Sequence, residues 1–199
     1  MNLDATSDKL VARSDSGFRV SPSANGTQKV ELWDVMPVGW LGRFTRAAAS
    51  ISLNIVSGVA RRDEHTRWSA EFEVRGAIDG DVEQIDFLAL AREPSESFTL
   101  PALELRSFEL TRSDDERRAL VLTIRARDKM GFLASLLEHL AGLVLFPEEI
   151  RIDTFRNEAH DILWLSSVGG QSPAPETEAA LRASLVACSR RRASLFPGT

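Results

Sequence analysis

Two short stretches of the chain have the residue types of a turn that could bind a small molecule. The first is Gly39-Trp40-Leu41-Gly42, a few residues after Asp34, and the second is Gly131-Phe132-Leu133-Ala134, just after Asp128. A glycine between a strand and a helix lets a ligand approach the main chain without meeting a Cβ atom. The helix N-terminus beyond it has unpaired N–H groups and a partial positive charge, which suit a carboxylate.

Polar side chains near the first turn could complete a site for an amino acid. Asp34 could receive an ammonium group, and the amide of Asn54 could bind either end of the ligand. A structural alternative explains the same residues: Gly39 and Gly131 only permit the turn, and Asp34 and Asp128 only cap the helix that follows. The sequence leaves both interpretations open.

The sequence offers no comparable pattern for catalysis, a metal or a cofactor. His65, His139 and His160 are far apart and lack metal-ligand spacing, and no nucleophile elbow, phosphate loop or dinucleotide fingerprint is present. Cys188 is the only cysteine, so no disulfide forms within the chain, and it has the helical spacing of a core residue. We therefore expect a non-enzymatic protein with no catalytic residues, no metal and no cofactor.

Composition and charge argue against two classes of partner. Of the 199 residues, 43% are hydrophobic and 27% charged, as in ordinary globular proteins, and the net charge of -5 is opposite to that of a nucleic-acid-binding face. No apolar run approaches the roughly 18 residues that span a membrane, and the N-terminus lacks the basic-then-apolar order of a signal peptide. We expect a cytoplasmic protein that binds neither nucleic acid nor a membrane.

Hydrophobic periodicity predicts the elements that would hold the two turns. Alternation from Trp68 to Arg75 indicates a strand with one buried face, and the spacing of Leu133, Leu136 and Leu140 indicates a helix. The predicted helices are 40–51, 81–92, 132–144 and 176–190, and the predicted strands are 18–20, 29–33, 53–61, 68–75, 103–111, 119–126, 148–156 and 160–168.

These elements occur in the same order twice. Gly131 follows Gly39 by 92 residues, and the same offset aligns Phe72 with Trp164. A constant offset through a helix and two strands indicates one supersecondary unit used twice, and a spare strand precedes each unit. We predict that this leading strand fills the edge position of a split βαβ sandwich. The predicted segments are a flexible tail (1–15), a first domain (16–93), a linker (94–101), a second domain (102–190) and a C-terminal tail (191–199).

The two units resemble ACT domains, a family of small βαββαβ regulatory modules. The run Asp128-Lys129-Met130-Gly131-Phe132-Leu133 is similar to the family's Asp-x-x-Gly-hydrophobic-Leu turn, and Ser52-Leu53-Asn54-Ile55 is similar to its Leu-x-Asn-Ile start of the second strand. Together the two units span residues 18 to 190. The resemblance implies an α+β fold of two ferredoxin-like sandwiches in tandem, each an antiparallel sheet with two helices on one face.

The resemblance also implies a ligand site, because family members commonly bind amino acids or other small effectors where ACT domains pack together. The first unit departs from the pattern by two extra residues before Gly39, and the second has Phe146 where the first has Asn54. We therefore expect the ligand against residues 39–42 with Asn54, at a contact between units. The residues implied to contact ligand are Asp34, Val38, Gly39, Trp40, Leu41, Gly42, Asn54, Ile55, Asp128, Met130, Gly131, Phe132 and Leu133.

The last predicted strand argues for association. It has Ile162 and Trp164 on one face and Leu163 and Leu165 on the other, which is not typical of a sheet with one exposed face. We expect the first unit or another chain to cover it. The leading hypothesis is a regulatory protein that senses an amino acid and works as a homodimer. The alternative is a structural or protein-interaction module without ligand.

Overall fold

The computed structural model describes residues 16–63, 66–76, 82–94, 98–114 and 119–194. The predicted tail 1–15, the middle of the predicted linker (95–97) and His65 lie outside these residues, as do 195–199. The strands are β1 (Gly17–Pro22), β2 (Gln28–Asp34), β3 (Leu53–Arg62), β4 (Trp68–Gly76), β5 (Leu105–Arg112), β6 (Leu120–Arg127), β7 (Phe146–Phe155) and β8 (Glu158–Ser166). The helices are α1 (Trp40–Ser50), α2 (Phe87–Arg92), α3 (Phe132–Gly142) and α4 (Pro175–Ser194).

The described strands form one antiparallel sheet in the order β1-β2-β4-β3-β7-β8-β6-β5. The α+β class predicted from the sequence is confirmed. We call β1 to α2 unit 1 and β5 to α4 unit 2; each contributes four neighbouring strands, with its leading strand at an outer edge. The sequence predicted two sandwiches in tandem, whereas the structure joins the two sets of strands through β3 and β7.

The join between β3 and β7 has a symmetric register. Val59 lies opposite Arg151, which follows it by the same 92 residues that separate the two glycine turns. On either side, Gly58 pairs with Ile152 and Ala60 pairs with Ile150. The two units are therefore related by a local two-fold axis through the Val59–Arg151 pair. We call the contact between them the seam.

All four helices contribute to a core on one face of the sheet. In β4 the alternate residues Trp68, Ala70, Phe72 and Val74 are buried, as their spacing predicted. One cluster of buried apolar side chains includes Phe44 from α1, Leu136 from α3 and Leu185 from α4, so the core runs across the seam.

Two helices differ from the sequence prediction. The predicted helix 81–92 is a short 3-10 turn over Val82–Gln84 followed by α2, because Asp86 caps α2 by accepting hydrogen bonds from the main-chain N–H groups of Leu88 and Ala89. Helix α4 continues to Ser194, four residues into the segment that the sequence assigned to the C-terminal tail. None of the helices in the described part of the chain is long and apolar enough to cross a membrane.

Unit 1 does not cover the apolar outer face of β8. Leu163 and Leu165 face the core and are fully buried, whereas Ile162 and Trp164 point to the opposite face and remain partly exposed. The guanidinium of Arg151 lies 5.1 Å from the centre of the Trp164 ring and covers part of it. Coverage of this face by another chain stays a prediction.

Candidate functional site

The first glycine turn begins helix α1 and opens onto a cavity. Gly39 occupies the N-cap position with φ 75°, a conformation that favours glycine, and the N–H of Trp40 donates to the carbonyl of Pro37. A Cβ atom built on Gly39 would have Nη1 of Arg43 as its nearest neighbour, at 3.9 Å. The turn therefore leaves room for another molecule beside its main chain.

The cavity has a volume of about 670 Å³ and lies across the seam. Unit 1 contributes the loop before α1, the first turns of that helix, and Arg62 and Trp68 from the sheet. Unit 2 contributes one side of α3, the start of β7, and the segment after β8. A volume in this range suits a small organic ligand, and binding sites of this kind commonly lie between structural units.

The structure corrects the predicted partner of the first turn. Helix α1 has 11 residues and is therefore roughly 16 Å long, so it carries the chain from Gly39 to the far end of the sheet before β3 begins. Asn54 consequently lies away from Gly39. The two-fold arrangement brings the start of β7 to the first turn instead, so the side chain at the cavity is Phe146.

Asp34 does not face the cavity as the amino-acid hypothesis requires. Its carboxylate accepts hydrogen bonds from the guanidinium of Arg92, with Nε at 2.9 Å, and from the N–H of Val35 at 2.7 Å. The side chain is buried by these contacts, and among the described residues it does not line the cavity. Asp34 therefore ties the end of β2 to α2 and is not placed to receive a ligand's ammonium group.

The charged side chains that line the cavity are held mostly by one another. Nη1 of Arg62 lies 3.1 Å from both carboxylate oxygens of Glu148, which also accepts a hydrogen bond from Ser166 at 2.6 Å. Arg46 pairs with Glu138 at 2.6 Å, and these two residues occupy equivalent positions in the two units. Both ion pairs cross the seam.

The second glycine turn is occupied by the protein itself. Gly131 has φ 79°, and a Cβ built on it would lie 2.7 Å from the ring of Phe98 and 3.2 Å from Pro101. The hydroxyl of Ser135 donates to the carbonyl of Pro101 at 2.8 Å, which fixes this segment over the turn. Only a small space of about 40 Å³ remains nearby.

Seven of the other predicted contact residues lie around that small space. Asn54 and Asp128 hydrogen-bond through their side chains; burial raises the pKa of Asp128, and the bond from Asn54 acts in the opposite direction. Of the thirteen predicted contact residues, five line the large cavity (Val38, Gly39, Trp40, Leu41, Gly42), seven line the small one (Asn54, Ile55, Asp128, Met130, Gly131, Phe132, Leu133), and Asp34 lines neither.

Several lining residues were not predicted to belong to a ligand site. Arg43 lies one helical turn after Gly39, a spacing that could have drawn attention to it. Arg62, Leu137 and Glu148 come from distant parts of the chain and meet only because β3 pairs with β7. No local pattern in the sequence identifies them.

The sequence matches no protein-family model and no curated protein sequence. Among solved structures, the fold is similar to that of aspartate kinase from Synechocystis, with 18% sequence identity and a TM-score of 0.47. The similarity covers 81% of this chain and 27% of the kinase chain, so most of the kinase has no counterpart here.

Proposed function

We propose that this chain is a non-enzymatic regulatory sensor of the ACT type, which binds an amino acid or a closely related carboxylic acid in the cavity across the seam. The observation that carries the proposal is the position of the cavity, which is walled by the open Gly39 turn of one unit and by α3 and β7 of the other. A ligand there contacts both units at once. Its binding energy therefore stabilises one arrangement of the two units, which is what a regulatory module requires.

The proposal includes the location of the protein and its association with a second copy. We propose a cytoplasmic protein that associates with a second copy through the outer face of the sheet, where Ile162 and Trp164 are partly exposed. Sheet faces with aromatic and aliphatic side chains are suited to association.

Titration calorimetry and thermal unfolding with a panel of ligands test the proposal. The panel contains the common amino acids and their deaminated counterparts, the 2-oxo acids and simple carboxylic acids. At least one should give a measurable heat of binding and raise Tm, because a ligand at about a hundred times its Kd stabilises the folded state by about 2.7 kcal/mol. A panel without any binder would argue strongly against the sensor.

A matched pair of variants locates the site. Gly39→Asn keeps a residue that tolerates positive φ while adding a side chain at the cavity wall, and should weaken binding by about tenfold or more. Gly26→Asn is the control, because Gly26 has a similar φ of 72° and no atom within 4 Å of its added Cβ, and it does not line the cavity. Equal binding by both variants would place the ligand elsewhere.

The alternative function is an interaction module without ligand. The partly exposed Trp164 on the outer sheet face favours it. Such a module would associate with its partner in sedimentation experiments and show no response to any compound of the panel.

A further inference from the structure

The cavity borders the guanidinium of Arg43, which has no carboxylate partner among the described residues. In the described part of the chain, Arg43 donates only to main-chain carbonyls, those of Ala91 and Val38 at 3.3 Å and that of Pro37 at 3.5 Å. Its Nη1 lies beside the Gly39 turn, so its charge adds to the positive end of α1. An acid group bound there would be held by a planar cation and by the helix N-terminus together.

Two tryptophan side chains form an aromatic part of the cavity wall. Trp40 is only 2% exposed, and its indole Nε1–H has no hydrogen-bond partner among the described residues. The ring lies against Trp68, with 5.2 Å between ring centres, and both residues line the cavity. The Nε1 atom is enclosed by protein, so Trp40 contributes ring surface to the cavity wall, and the donors available to an acid group are Arg43 and the helix N-terminus.

Carboxylates without an arginine partner, in contrast, are missing from the described lining, whose other side-chain acceptors are the neutral hydroxyls of Thr66 and Ser167. The two carboxylates of the wall, Glu138 and Glu148, each already bind an arginine. Asp34 is bound by Arg92. Phe146 occupies the position in unit 2 that Asn54 occupies in unit 1, so no asparagine amide lies at this point of the cavity wall. A ligand's ammonium group entering this cavity would lose water and find no carboxylate without an arginine partner in the described lining, which is unfavourable.

The remaining wall is apolar. Leu41, Trp68, Leu137, Leu145 and Phe146 line it, so the body of the ligand should be an aliphatic or aromatic group.

We infer that, within the proposed function, the cavity selects apolar 2-oxo acids over the corresponding amino acids. A 2-oxo acid carries a carboxylate and no ammonium group, and so matches a site whose carboxylates are neutralised by arginines while the guanidinium of Arg43 has no carboxylate partner among the described residues. The inference rests on the proposed ligand site and names the class of compound that fits it.

Calorimetry on the full chain with matched ligands tests this. The three series are phenylpyruvate, 3-phenylpropanoate and L-phenylalanine; indole-3-pyruvate, indole-3-propanoate and L-tryptophan; and 4-methyl-2-oxopentanoate, 4-methylpentanoate and L-leucine. In at least one series the 2-oxo acid should bind about tenfold or more tightly than the amino acid, with the simple acid between them. An amino acid that binds as well as its 2-oxo acid overturns the inference and leaves the proposed function standing. If none of the nine compounds binds, the inference is wrong, and the wider panel then decides the proposed function.

Two variants test the assigned contacts. Arg43→Gln should weaken binding of the 2-oxo acid by about tenfold or more, whereas Arg61→Gln, on the outer face of β3, should leave it unchanged. Phe146→Asn introduces an amide at the cavity and should reduce the ratio of the affinity for the 2-oxo acid to the affinity for the amino acid. Thermal unfolding of each variant checks that the fold is kept. Unchanged binding by a folded Arg43→Gln protein overturns the assignment.

Discussion

At the scale of single residues, the most unusual side chain is the carboxyl group of Asp161. It is 1% exposed, lines the small cavity at the second turn, and has an Oδ1 atom without a partner among the described residues. Burial, with smaller contributions from the charges of Asp128 and Asp153, raises the pKa of Asp161 to about 7, although a hydrogen bond with the main chain of Asp153 acts in the opposite direction. The folded protein therefore binds a proton there more tightly than the unfolded chain does.

This raised pKa predicts the pH dependence of stability. A carboxyl group whose folded pKa is raised contributes stability that is fully present below its unfolded pKa of 3.8 and is lost as pH rises to about 7. Asp161→Asn should resemble the protonated state, so its stability relative to wild type should increase over this range by on the order of 4 kcal/mol and then stay constant. Urea unfolding at about pH 4, 6 and 8 measures the difference.

The control for this prediction is Asp114→Asn, at an exposed position after β5. Its difference in unfolding free energy from wild type should change little with pH. If Asp161→Asn behaves in the same flat manner, the carboxyl group is ionised in the folded protein near neutral pH and the prediction is wrong.

At the scale of elements, two ion pairs cross the seam in different surroundings. Arg62 and Glu148 join β3 to β7 with side chains 30% and 19% exposed, and Ser166 adds a hydrogen bond. Arg46 and Glu138 join α1 to α3, but the side chain of Glu138 is 61% exposed. Solvent and salt screen the helix pair more strongly, so the strand pair should contribute more to holding the units together.

Double-mutant cycles compare the two pairs. For Arg62→Ala and Glu148→Ala we expect a coupling free energy of roughly 1–3 kcal/mol, because each single change leaves a partly buried charge without its partner. For Arg46→Ala and Glu138→Ala the expected coupling is below about 1 kcal/mol and should shrink further in high salt. Coupling energies in the reverse order would show that exposure does not decide the strength of these pairs.

At the scale of the whole molecule, the helices and strands were largely predictable from sequence. The contacts between the two units across the seam were not. The alternation in β4 and the spacing of leucines in α3 depend on neighbouring residues, so they are visible in the chain itself. The approach of Phe146 to the Gly39 turn depends on the register of β3 against β7. Nothing near either residue encodes that register.

The ion pair between Asp34 and Arg92 shows the same limit of prediction from sequence. Its partner Arg92 lies 58 residues further along the chain, at the end of a helix whose start the sequence analysis misplaced. A carboxylate beside a glycine turn has the right chemistry to bind an ammonium group, but which cation it meets is decided by tertiary packing. The glycine positions were easier to identify, because positive φ is a local requirement.

The continuous sheet and shared core predict that the two units unfold together. Three of the four tryptophans lie in unit 1 and Trp164 lies in unit 2, so in a Trp164→Phe protein the fluorescence comes from unit 1 residues, two of which, Trp40 and Trp68, also line the cavity at the seam. Leu163→Ala, at a fully buried position of β8, should remove about 2–5 kcal/mol of stability. In the Trp164→Phe background it should shift the urea midpoint of unit 1 fluorescence by the same amount as the midpoint from circular dichroism.

Thr123→Ala, on the partly exposed outer face of β6, is the control and should shift both midpoints little. A fluorescence midpoint that stays in place while the circular dichroism signal moves would mean that unit 1 is stable without unit 2, and that the β3–β7 pairing contributes little to folding.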